Sequence, residues 1–189
     1  ETEARLAATG CTPLVDPQAQ GVILFDIGGG SSELVRMSSV NGGAGPPRPV
    51  IDAWTSLPVG VVTLAERHGG IVVGRDLFEA MIAEILPHVE AFFKAQGGPC
   101  NGEDIHMLGT SGTVTTIAGV HLGLRRYDRR QVDGCWMTDE EISAVVDRLL
   151  AMDYRERVAN PCIGAERADL VLAGCAIMEA IRRAFPCRR

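Results

Sequence analysis

The stretch Val22-Ile23-Leu24-Phe25-Asp26-Ile27-Gly28-Gly29-Gly30-Ser31-Ser32-Glu33-Leu34 decides how this chain is read. Val22 to Phe25 is a short aliphatic run bounded by Gly21 and Asp26, which predicts a buried strand. Three glycines and two hydroxyls follow the acid at its end, and Glu33-Leu34-Val35-Arg36-Met37 resumes strand-like alternation. Glycines between two strands let amide N–H groups converge without Cβ interference, which makes a concavity for an anion. Gly28, Gly29, Gly30, Ser31 and Ser32 are therefore candidate phosphate contacts. Asp26 and Glu33 would repel a phosphate unless a divalent cation lay between them, so both are candidate ligands of Mg2+ or Mn2+. The plainer readings are a tight turn for the glycine triplet and local turn capping for Asp26.

A second segment has the same character. Ile105-His106-Met107-Leu108 predicts another short buried strand, running into Gly109-Thr110-Ser111-Gly112-Thr113 and then a helical pattern from about residue 112. A Gly/Ser/Thr turn between strand and helix leaves free amides at the positive end of the helix dipole, where an anion is attracted. Gly109, Thr110, Ser111, Gly112 and Thr113 join the candidate phosphate contacts, with a helix cap as the alternative. Two such loops in one chain would clamp a phosphate chain from both sides.

Together these segments resemble the exopolyphosphatase / guanosine pentaphosphate phosphatase family of the actin-like ATPase superfamily. The matching stretches are Glu3 to Leu6, Asp26 to Leu34, Ser56 to Leu64, Gly109 to Ala118 and Arg167 to Ile177, in the family's order. The resemblance implies a ribonuclease H-like α/β domain, with Glu3 as the base that orients the attacking water. It also implies that residues 1–20 enter from a missing first lobe. Residues 21–189 would then form a second lobe lacking a final strand. The chain opens on Glu1 rather than Met, so a piece of a longer parent is expected, and the resemblance implies a homodimeric one.

Composition fits this reading. The 189 residues are 46% hydrophobic and 22% charged, ordinary for one globular domain. The net charge of −6 has no offsetting basic stripe, which disfavours nucleic acid as a partner. A site built from amides and metal ions needs little net positive charge. No membrane partner is expected, since no apolar stretch approaches the roughly 20 residues of a membrane span, and no signal peptide is visible. Cys11, Cys100, Cys135, Cys162, Cys175 and Cys187 are scattered without a Cys-x-x-Cys pair, so reduced thiols in the cytoplasm are expected rather than zinc.

Along the chain, strands are predicted at about 22–27, 32–38, 49–56 and 104–108, with a turn over Asn41 to Pro47. Helices are predicted from Val61 to Arg67, from Arg75 to Ala95 with a kink at Pro87, and after Thr138, which reads as an N-cap. A long last helix is predicted from Ala165 to Ala184, with Arg167 and Asp169 paired near its start. Trp54 and Trp136 suit packing, His106 reads as structural, and the arginines of 125–130 read as a solvated loop.

The expected activity is metal-dependent hydrolysis of the terminal phosphoanhydride of inorganic polyphosphate or guanosine pentaphosphate. Two alternatives are an ATP-binding kinase or actin-like ATPase lobe, and a silent module that binds polyphosphate or nucleotide without turnover.

Overall fold

Val22, Ile23, Leu24 and Phe25 are all buried, so the strand they form, β1 (Gly21–Ile27), is covered on both faces as a central strand is. The computed structural model describes residues 2–16, 18–40, 48–96 and 105–187. β1 pairs antiparallel with β2 (Ser32–Val40) and parallel with β4 (Ile105–Thr110), and β3 (Arg48–Leu57) pairs antiparallel with β2. The sheet order is β3-β2-β1-β4. All four strands lie within a residue or two of their predicted positions. Gly109 and Thr110, expected in a loop, are the last residues of β4. The predicted turn over Asn41 to Pro47, like Cys100, lies outside the described residues.

The helices are α1 (Thr2–Cys11), α2 (Val61–His68), α3 (Arg75–Ala95), α4 (Ser111–His121), α5 (Arg129–Val132), α6 (Asp139–Ala151), α7 (Tyr154–Ala159) and α8 (Val171–Ala184). Strand residues of opposite parity serve opposite faces. Ile23, Phe25, Ile27 and Leu34 join the main core with Met81, Ile82, Ile85 and Val89 of α3 and Leu172, Ile177 and Ile181 of α8. Burying each such side chain contributes about 1.5–3 kcal/mol. The rings of Phe93 and Phe185 close that core, 4.7 Å apart. Val22, Leu24, Val35 and Met37 form a smaller cluster with Ala8 and Cys11 of α1. One face thus carries most of the helices, and the other carries α1.

Several local expectations hold for identifiable reasons. Thr138 Oγ1 accepts from the Glu141 amide while Glu141 Oε2 accepts from the Thr138 amide, a reciprocal cap that starts α6. His106 is buried and its Nε2 accepts from the Asp16 amide at 3.1 Å, a structural role. The thiols of Cys11, Cys135, Cys162 and Cys175 form no disulfide, and burial pushes Cys175 up to about 12.

Others are corrected. α3 runs unbroken through Pro87, whose ring opposes the carbonyl of Ala83; both residues are exposed, so water can serve that carbonyl. α8 starts at Val171 rather than Ala165. Residues 165–170 instead form tight turns, with Arg167 N donating to Gly164 O and Leu170 N to Arg167 O. A close approach holds them: a Cβ on Gly70 would stand 1.8 Å from the Asp169 carbonyl oxygen. The buried Arg157 secures the same corner by donating to the carbonyls of Gly70 and Ile71. Among the described residues no ion pair joins Arg167 to Asp169. Trp54 and Trp136 are 44% and 46% exposed, so neither is a core residue, although Trp136 lies edge-on to His106.

Helix α8 also braces α4. A Cβ on Gly174 would lie 2.3 Å from Thr113 Oγ1 and 2.8 Å from its Cγ2. Gly174→Ala should therefore lose about 1–3 kcal/mol of stability in chemical denaturation, the usual cost of overpacking. Most of that loss should return when Thr113→Ala is added.

Candidate functional site

Strand register sets four polar side chains in a row across one face of the sheet. Ser56 of β3 stands opposite Glu33 of β2, Glu33 opposite Asp26 of β1, and Asp26 beside Thr110 of β4. Their parity is that of Val22, Leu24, Val35 and Met37, so the row lies on the α1 face. The Cys11 thiol of α1 is pushed up first by burial and then by the charge of Asp26, as this placement requires. Glu33 is oriented from two sides, its Oε1 accepting from Ser31 Oγ and Ser56 Oγ, each at 2.8 Å. Its Oε2 takes no partner among the described residues.

The turn after β1 is shaped from behind by α2. The amides of Val61 and Val62 each donate 2.9 Å bonds, to the carbonyls of Gly28 and Gly29 respectively. In a trans peptide the C=O and the next N–H point in opposite directions. Pulling these two carbonyls toward α2 therefore turns the amides of Gly29 and Gly30 the other way. Neither amide has a partner among the described residues. Gly28 differs, because its own amide closes the turn on Ser31 O at 2.9 Å. The approach of α2 depends on Gly60, where a Cβ would lie 2.3–2.5 Å from the backbone of Gly28 and Gly29. No member of the Gly28–Gly30 triplet has a positive φ, and a Cβ on Gly30 would meet nothing. The chain's own backbone does not demand glycine at position 30, whereas close approach of a ligand would.

The second loop reaches the same end of the sheet because β4 runs parallel to β1. α4 begins at Ser111 with no side-chain cap, and the amides of Gly112 and Thr113 have no partner among the described residues. The positive end of an 11-residue helix thus opens beside the row. Arg167 adds a full charge there. Its guanidinium lies 3.4–3.6 Å from where a Gly112 Cβ would be, and its only bond among the described residues is to Thr116 Oγ1 at 3.3 Å. A guanidinium beside a helix N-terminus, without a carboxylate, is an arrangement suited to an anion.

The sequence profile of the Ppx/GppA phosphatase family matches residues 1–189. The chain belongs to this family. The Aquifex aeolicus Ppx/GppA phosphatase is similar in structure, with a TM-score of 0.79, 24% identity, and coverage of 100% of this chain and 57% of that one. A protein described as exopolyphosphatase-like also gives 0.79, at 28% identity over 100% of this chain and 60% of that one. An exopolyphosphatase from Cytophaga hutchinsonii gives 0.76 at 20% identity, covering 98% and 57%. A comparison with curated proteins finds no match. The fold is the ribonuclease H-like α/β fold of the actin-like ATPase superfamily, and the chain spans little more than half the length of these solved relatives.

Within this Ppx/GppA chain the expected site residues take different places. Asp26, Glu33, Gly29, Gly30 and Gly112 come together at one end of the sheet. The hydroxyls expected to face a ligand each donate within the protein or are buried. Ser31 holds Glu33, Ser32 donates to Val59 O at 2.7 Å, Thr110 to Phe25 O and Ser111 to Ile27 O. Thr113 is buried against Gly174. Gly109 is a packing glycine, since a Cβ would lie 2.6 Å from the Phe25 ring and 2.7 Å from Val114. Glu3 falls in the first turn of α1, and its side chain lies outside the described residues.

Ser56 and Arg167 are site residues that the sequence reading did not assign. Strand alternation opposite Glu33 was the available signal for Ser56. Arg167 carried none beyond its place in a matching motif. An apolar groove of about 620 Å3 also runs along β4, lined in part by Leu14, Met107, Val114 and Trp136.

A divalent cation is compatible with these residues. Among the described residues no three His, Cys, Asp or Glu side chains cluster as a metal cage would. Asp26 and Glu33 offer two carboxylates, one with a free oxygen held in place. Mg2+ characteristically binds in this way, through one or two carboxylates while keeping several waters.

Gly60→Ala should displace α2 from the first loop. A stability loss of about 1–3 kcal/mol from overpacking is expected, together with weaker binding of tripolyphosphate. Calorimetric titration of the folded variant against wild type reads both effects.

Proposed function

We propose that the protein hydrolyses terminal phosphoanhydride bonds of inorganic polyphosphate or guanosine pentaphosphate and releases orthophosphate. One observation carries this reading. Outward amides of Gly29 and Gly30, the uncapped start of α4 with Arg167, and the paired carboxylates of Asp26 and Glu33 meet at one end of one sheet. Amides and guanidinium suit the phosphate oxygens, and the carboxylates suit a cation that would balance the same charge. The exopolyphosphatase names among similar structures support the substrate class.

In this reading Gly29, Gly30, Gly112 and Thr113 grip the phosphate chain through main-chain N–H groups. Gly28, Ser31, Ser32, Gly109, Thr110 and Ser111 hold those groups in place. Arg167 stabilises charge on the phosphoryl or leaving group, the usual task of an arginine in phosphoryl transfer. Asp26 and Glu33 hold Mg2+ or Mn2+, which supplies charge neutralisation when bound. Glu3 takes a proton from the attacking water. The chain forms one lobe of a two-lobed module, with the groove along β4 as the seat of a further strand.

Phosphate release by the full-length protein from polyphosphate, guanosine pentaphosphate and ATP tests the reading. Turnover of either of the first two above ATP is expected, with loss in excess chelator. Activity on ATP alone, or full activity in chelator, would contradict it. Asp26→Asn should raise the Mg2+ concentration needed for half activity. Glu3→Gln should leave binding intact and reduce turnover roughly 10²–10⁴-fold, the contribution of a positioned base. Wild-type turnover in Glu3→Gln would place the base elsewhere.

A further inference from the structure

Ser111 is the one non-glycine residue at positive φ among the described residues, at 78°. That conformation is sterically unfavourable for an L-residue with a side chain, and it persists only where the surroundings hold it. The surroundings are visible. Phe25 and Ile27 lie two residues apart on β1, so their carbonyls point to the same neighbour, β4. Thr110 Oγ1 donates to the first at 3.4 Å, and Ser111 Oγ donates to the second at 2.8 Å. Asp26 with Thr110 is the last paired rung of the parallel ladder. Beyond it the chain turns away into α4, and the Ser111 hydroxyl supplies Ile27 O with the hydrogen bond that another β4 amide would have made.

We propose that Ser111 is a positioning residue that couples the two phosphate loops. This rests on the phosphate-site reading above. Its left-handed backbone swings the first amides of α4 off the sheet and leaves Gly112 and Thr113 unpartnered. Its hydroxyl ties that turn to Ile27, the residue immediately before Gly28. Beyond the last rung of the ladder, this side-chain hydrogen bond is the direct tie between the two loops among the described residues. The hydroxyl does not itself contact the anion.

Two variants of the full-length protein separate the parts of this device. Ser111→Ala keeps the unfavourable backbone and loses the hydroxyl, whereas Ser111→Gly loses the hydroxyl and relaxes the backbone. Exchange of the Gly28 amide without ligand, thermal midpoint, and tripolyphosphate affinity by calorimetry are the readouts. Both variants should exchange faster at the Gly28 amide, which closes the turn on Ser31 O, and bind roughly three- to tenfold more weakly, the range of a single net hydrogen bond. Ser111→Gly should melt no lower than Ser111→Ala yet bind no better. Unchanged exchange in the unliganded variants would overturn the proposal, and a fall in affinity alone would make the hydroxyl a direct ligand. Unchanged affinity would overturn it as well. Failure of wild type to bind tripolyphosphate would instead defeat the phosphate reading, and this inference with it.

Discussion

The parallel pairing of β1 with β4 brings together groups that lie about eighty residues apart in sequence. Parallel strands need a long crossover, and here β2, β3, α2 and α3 fill it. Because the two strands run the same way, the turn after β1 and the start of α4 emerge at the same end of the sheet. Antiparallel pairing would put them at opposite ends. The register completes the arrangement by placing Thr110, Asp26, Glu33 and Ser56 in one line.

What makes that end suitable for an anion is the orientation of peptide groups. The start of α2 draws the carbonyls of Gly28 and Gly29 to itself, which faces their partner amides outward. The hydroxyl-bearing residues of both loops are bound within the protein, so they act on geometry. An acidic chain with a net charge of −6 would hold the proposed anion site in this way. The proposed attraction is local, from amide dipoles, a helix start and Arg167, and Asp26 and Glu33 would take the cation. Bracing glycines at positions 60 and 174 let α2 and α8 approach these loops more closely than any side chain would allow.

Much of this was legible in the sequence. The strands announced themselves through short aliphatic runs ending at Asp26 and Gly109, and the cap at Thr138 through its spacing to Glu141. Asp26 and Glu33 stood out as acids flanking a glycine turn. The sequence reading went astray where tertiary contacts decide. Residues 165–170 carry helix-compatible side chains, yet the approach of Gly70 to the Asp169 carbonyl holds them as turns. That Ser31 donates to Glu33, and that Ser32, Thr110 and Ser111 donate to main-chain carbonyls, depends on which acceptor lies within reach, and composition cannot reveal it. Ser56 and Arg167 reach the site only through strand register and the packing of the turn before α8, neither of which leaves a local pattern.

In the proposed site, amides of the first loop and of the start of α4 bind one anion together. Titrating isotope-labelled protein with tripolyphosphate and following backbone amide shifts addresses it directly. Concerted shifts at Gly29, Gly30, Gly112 and Thr113, saturating at a single affinity, are expected. Shifts confined to the groove along β4, at Leu108, Val132 and Trp136, or separate affinities for the two loops, would contradict it.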